Sequence, residues 1–142
     1  MAAALVLTAA AAGSPAAQTA EGGEAASQAG MRVQLNKMAP VENACRIYLV
    51  FENRTGGAFD AYTLDLVMFD TEGAILRRLA VEAGGLPAGK TLVKPFDVTG
   101  IDCASIGKLL LNDVMTCEGA GAEQDCTVLT TPSSRLDAPF IK

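Results

Sequence analysis

Cys45-Arg46-Ile47-Tyr48-Leu49-Val50-Phe51-Glu52-Asn53 alternates with a period of two: Cys45, Ile47, Leu49 and Phe51 point one way, and Arg46, Tyr48, Val50 and Glu52 the other. Successive side chains of a strand leave opposite faces, so the stretch predicts a β-strand with one face in a core. Leu64, Leu66 and Met68 repeat the pattern against Thr63 and Asp65. Outward from these two, short apolar runs recur at 31–37, 45–53, 62–70, 74–82, 90–98, 106–116 and 126–130. Near-regular short runs separated by turn residues predict an all-β fold, an immunoglobulin-like sandwich of about seven antiparallel strands.

The intervals have turn chemistry. Asn53-Arg54-Thr55-Gly56-Gly57 separates the second and third runs, Asp70-Thr71-Glu72-Gly73 spells a tight hairpin, and Leu86-Pro87-Ala88-Gly89-Lys90 turns the fourth run into the fifth. Pro95 removes a ladder donor from the fifth run, which places that strand at an edge or at a bulge. The consecutive Leu109, Leu110 and Leu111 fit either a strand buried on both faces or a short helix; length and flanking pattern favour the strand.

The 142 residues suit one domain, 31–130, followed by a tail, 131–142. Ahead of it, Met1 to Ala12 is an apolar, Ala-rich run followed by small residues, which reads as a signal peptide over 1–17 without its basic n-region. The run is too short for a membrane span. Residues 18–30 are small, polar and acidic and predict a flexible linker. The export signal makes the expected location an exported one, and the resemblance described below implies the periplasm or secretion in a bacterium.

Sixteen acidic against 11 basic side chains give a net charge of -5, which argues against capture of nucleic acid. The absence of His removes His-based triads, His zinc sites and imidazole switches. Four cysteines in a small exported chain predict two disulfides. In a sandwich of alternating strands, the second and sixth run the same way. Cys45 and Cys103 then lie at one end, and Cys117 and Cys126 bracket the turn at the other. The expected pairs are therefore Cys45–Cys103 and Cys117–Cys126. With no CxxC motif, metal or redox use of these thiols is disfavoured.

Other candidates have bland readings beside them. Asp65, Asp70, Glu72, Asp97, Asp102 and Asp113 are candidate acid/base groups or cation ligands, but nothing in the sequence brings two together. Asp60, Asp70 and Asp102 fit turn positions. Met31, Met38, Met68 and Met115 suggest Cu(I) thioether ligation, yet their spacing suits core packing better. Asn53-Arg54-Thr55 matches a glycosylation sequon and equally a turn. No catalytic, cofactor or metal residue is assigned.

One feature exceeds ordinary packing. Opposite the core face, Tyr48 and Val50 on the second strand and Val67 and Phe69 on the third are apolar where water would select polar groups. They predict an interaction surface for a protein partner, or a surface covered by the chain's own ends, with Phe140 and Ile141 available to dock there. The expected function is a non-enzymatic periplasmic binding or accessory module. The alternatives are a carboxylate- or Met-based metal-handling protein or enzyme, and an envelope structural or assembly subunit. Oligomeric state is not legible.

The segments 45–53 and 64–73, with Leu86-Pro87-Ala88-Gly89-Lys90 and Leu110-Leu111-Asn112-Asp113, resemble a group of small uncharacterised exported proteins of alphaproteobacteria. Several of these are known only by a twin-arginine export signal. The resemblance covers roughly residues 31 to 117 and implies a periplasmic β-sandwich with no particular activity. No Arg pair occurs at the N-terminus here, and the Cys126 extension and tail lie outside the resemblance.

Overall fold

A computed structural model describes residue 13, residues 29–120, residue 122 and residues 125–142. The expected signal segment, residue 13 apart, and the linker as far as residue 28 lie outside the described residues. Among the described residues there are eight strands: β1 (Met31–Val41), β2 (Ala44–Asn53), β3 (Phe59–Phe69), β4 (Ile75–Glu82), β5 (Thr91–Thr99), β6 (Lys108–Gly119), β7 (Thr130–Ser134) and β8 (Phe140–Ile141). A 3-10 turn, Cys103–Ser105, precedes β6, and a single helical turn α1, Cys126–Leu129, precedes β7.

The strands form two four-stranded sheets, one ordered β5-β2-β1-β7 and the other β4-β3-β6-β8. The protein is thus an all-β, disulfide-stapled sandwich. Its pairings are antiparallel except at two places, where β7 runs parallel to β1 and β8 parallel to β6. Both exceptions come from the C-terminal segment. Residues 131–142, expected as a tail, instead supply a strand to each sheet.

Of the run at 126–130, expected as the seventh strand, Cys126–Leu129 form the helical turn and Thr130 alone is strand, the first residue of β7. The Asp125 carboxylate accepts from the backbone N–H groups of Thr127 and Val128, which caps the turn, and Cys126 is tied back to Cys117 on β6. Pro95 lies in β5, an edge strand, where its missing N–H costs no ladder bond. At the β3–β4 hairpin the Asp70 carboxylate accepts from the N–H groups of Glu72 and Ala74, and Gly73 has φ of 91°, a conformation that favours glycine.

Alternation delivers the core. Val33 and Leu35 of β1, Ile47, Leu49 and Phe51 of β2, Leu64, Leu66 and Met68 of β3, and Leu109 and Leu111 of β6 are all buried between the sheets. Phe59 and Tyr62 meet edge to face at 5.0 Å. The Thr130 hydroxyl donates to the Cys126 carbonyl at 2.6 Å, so the buried Tyr62 hydroxyl donates to Thr130 Oγ1 at 2.5 Å. Burial raises the Tyr62 phenol above its ordinary range. Two disulfides staple the sandwich: Cys45 to Cys103, with Cα atoms 5.0 Å apart, and Cys117 to Cys126, with Cα atoms 6.4 Å apart.

Candidate interaction surface

β3 is buried on both sides from Leu64 to Met68, although only alternate residues enter the core. On its outer side stand Asp65, Val67 and Phe69. The register with β4, β6 and β8 sets Arg78, Val67, Leu110 and Ile141 in one row across the sheet. Ile75, Phe69 and Lys108 form the next row. Val67, expected to face water, is only 8% exposed between Arg78 and Leu110. Ile75 and Ile141, at the ends of the two rows, are 68% and 42% exposed. Phe69 is half-buried, and the Lys108 ammonium lies 4.5 Å from its ring centroid, a cation–π contact.

Beyond Val67 the same face turns polar. Asp65 is 2% exposed, and Arg78 Nε and Nη2 donate to its two carboxylate oxygens at 2.8 and 2.7 Å. Asn112 Nδ2 donates a third bond at 2.6 Å. The Arg78 guanidinium, with help from Asn112, holds the Asp65 carboxyl below the usual carboxylate range despite its burial. Asp113 stands opposite Asp65 in the β3–β6 register, and its Oδ1 accepts from the Thr127 hydroxyl. The carboxylates brought together are therefore these two. Both oxygens of Asp65 are engaged, which suits strand anchoring better than proton transfer near neutral pH.

The outer side of the other sheet carries Tyr48 and Val50, both half-buried. Val50 is registered against the exposed Val93 of β5, and Tyr48 against Pro95. Lys37 places its ammonium 5.6 Å from the Tyr48 ring centroid. Ion pairs frame this small patch: Arg46 with Asp97 at 2.6 Å on one side, and Arg54 with Glu52 at 2.6 Å on the other. The hydrogen-bonded Arg46 guanidinium lowers the Asp97 carboxyl.

The chain's own end extends the first face and does not cover it. Phe140 turns into the core beside Leu109, while Ile141 continues the outer row beyond Leu110. Ile75 and Val93 carry no expectation from the sequence, Leu110 is read there only as part of a buried strand or helix, and Ile141, expected to dock over an outer face, instead extends one. The triple leucine was the available signal for one of these residues, because a strand with Leu109 and Leu111 inward must turn Leu110 outward.

The remaining candidates fall elsewhere. Asp70 and Glu72 lie in the β3–β4 turn. Asp102 precedes the 3-10 turn without a side-chain cap bond, and Asp60 lies within β3, not in a turn. Met31 and Met68 are core residues, Met38 packs against the core and Met115 is exposed. Among the described residues, no group of three or more Cys, Asp or Glu side chains is placed to hold a metal ion. Asn53 of the sequon is 2% exposed and its Nδ2 donates to the carbonyls of Gly57 and Leu86, so here it is a turn residue. No helix among the described residues is long and apolar enough to cross a membrane.

No family model and no curated protein matches this chain. Among solved structures, its fold is similar to that of IrmA from Escherichia coli, with a TM-score of 0.56 at 12% sequence identity over 74% of this chain and 92% of that one. At that identity the likeness concerns the fold alone.

Proposed function

We propose that this protein is a non-enzymatic binding or accessory module of the bacterial periplasm, and that it engages a protein partner through the outer face of the β4-β3-β6-β8 sheet. The observation that carries this reading is the apolar row Val67, Leu110 and Ile141, which crosses three adjacent strands with Phe69 and Ile75 beside it. Aromatic side chains half-sunk in a surface make strong anchors, because little is left to immobilise when a partner covers them. Two disulfides suit an oxidising compartment, which favours export.

Recovery of partners from periplasmic extract tests the reading. Phe69→Ser and Ile141→Ser should each abolish recovery of a protein captured by the unaltered chain, whereas Val93→Ser, on the opposite sheet, should not. Equal recovery by all three variants, or loss with Val93→Ser alone, would remove the assignment to this face.

A further inference from the structure

Among the described residues, the four sheet edges are closed to different degrees. β8 is two residues long, β7 contains Pro132, and β5 contains Pro95. β4 is an eight-residue strand without proline. The Ala83 N–H donates to the Tyr62 carbonyl at 2.8 Å, which sets the phase of the β3–β4 ladder. Hydrogen-bonded pairs alternate along an antiparallel ladder, and the register from Thr63 with Glu82 to Met68 with Arg77 is unbroken. Arg77, Leu79 and Val81 therefore direct their backbone groups to β3. Arg78, Ala80 and Glu82 direct theirs away from the sheet, with their side chains on its outer face.

The same reasoning shows how β5 differs. The Gly100 N–H donates to Asn43 and the Asn53 N–H to Lys90, so Val93, Pro95 and Asp97 hold the edge-directed positions of β5. Proline removes the donor at the middle of these three. An edge closed in this way resists pairing, and β4 has no such block.

We propose that β4 pairs antiparallel with β4 of a second copy of this chain, about a twofold axis at Ala80, to make one continuous eight-stranded sheet. Hydrogen bonding restricts the register to those that bring residues 78, 80 and 82 opposite one another. A register setting Arg78 against Arg78 opposes like charges. One centred on Leu79 sets Arg78 against Ala80 and pairs no charge. Centring on Ala80 places a small side chain at the axis and sets Arg78 against Glu82 of the second copy, twice, which is the complementary choice. Asp65 uses two of the five donors of the Arg78 guanidinium, whose side chain is 65% exposed, so the rest can meet Glu82. The twofold axis is perpendicular to the sheet, so both outer faces lie on one side. The inference does not depend on whether those faces bind a partner.

Sedimentation equilibrium of the oxidised full chain tests this between about 1 and about 500 μM, a range that covers weak self-association. A reversible monomer–dimer equilibrium is expected. Glu82→Lys, a change at an exposed position, should leave the unfolding transition in place and raise the dimer dissociation constant at least about tenfold, because it opposes Arg78 with a like charge twice. Oxidation of Ala80→Cys should give a dimer linked through position 80, with both native disulfides intact by peptide mapping. Cα atoms of a hydrogen-bonded pair lie about 5.5 Å apart, within disulfide reach. Glu82→Cys should give no such link, since four strand positions separate the two copies of residue 82, about 13 Å. A monomer throughout, a dimer indifferent to Glu82→Lys, or a link through position 82 in place of 80 would overturn the proposal.

Discussion

Arg78 closes over Asp65 on the outside of the sheet, joining β4 to β3 through two parallel hydrogen bonds of 2.8 and 2.7 Å. The pair is unequal: the guanidinium is largely in water, while the carboxylate is almost wholly covered. Removing Arg78 therefore costs more than an exposed ion pair would, because it strands a buried charge on Asn112 alone. Arg78→Ala is expected to lower the urea midpoint clearly. An unchanged midpoint would mean that water replaces the guanidinium freely.

The same pair sets a pH dependence. Arg78 lowers the folded-state pKa of Asp65, so the unfolded chain takes up the proton first as pH falls. The stabilisation is complete above the unfolded carboxylate value, about 3.9, and is lost as pH falls through the lower folded value. Asp65→Asn should flatten the acid limb of stability against pH. Asp97 is lowered in the same direction, but its exposed pair with Arg46 should contribute little, so Asp97→Asn should leave that limb almost unchanged.

Asn53 offers a test of the turn that follows β2. Its amide donates to the carbonyls of Gly57 and Leu86, and its Oδ1 accepts from the backbone and hydroxyl of Thr55. Asn53→Asp replaces the donor with a carboxylate oxygen facing two carbonyls. A loss of about 3 kcal/mol is expected by thermal or urea unfolding, because Thr55 still serves one carboxylate oxygen while the other, buried, faces only acceptors. Thr55→Val, which breaks the sequon and removes the hydroxyl bonds but keeps the Asn53 amide, should cost about 1 kcal/mol.

The two disulfides should not be equal. Cys45–Cys103 closes a loop of 58 residues and Cys117–Cys126 one of 9. On loop-closure entropy alone, replacing the first pair with Ser should cost about 4 kcal/mol and the second about 2.5. Urea midpoints of the two double variants measure the order. The shorter loop also positions α1, so its loss should loosen the hydrogen bonds that join Tyr62, Thr130 and the Cys126 carbonyl.

What could be read from the sequence follows the range of its physical causes. The alternation from Cys45 to Phe51 is local, and so was legible as a strand with its core face. Pro95 marked an edge because proline lacks the N–H that an inner strand needs. Val67 misled because its cover comes from Arg78 and Leu110, on strands paired from elsewhere in the chain. The run at 126–130 is too short to show a period, and Asp125 capping with the Cys117 tether decided for a helical turn. Thr130–Ser134 is polar and carries a proline, so nothing local announces its parallel pairing with β1. The outer face was half legible: Phe69 by alternation, Ile141 only once β8 had joined β6.

Phe140 and Ile141 are neighbours with opposite environments, and they separate core from surface on this edge. Phe140 enters the core opposite Leu109, whereas Ile141 stands outward opposite Leu110. Phe140→Ala should cost about 3 kcal/mol, as for a large side chain removed from a packed interior. Ile141→Ser should stay within about 0.5 kcal/mol. Phe69→Ser belongs between them, at about 1 kcal/mol, because its ring is half-buried and exchanges the Lys108 contact for water. Urea unfolding of the three variants ranks them directly. A loss of several kcal/mol at Phe69 would place that ring in the structural core of the sheet and leave the half-buried Leu110 with the exposed Ile141 and Ile75 to meet a partner on this face.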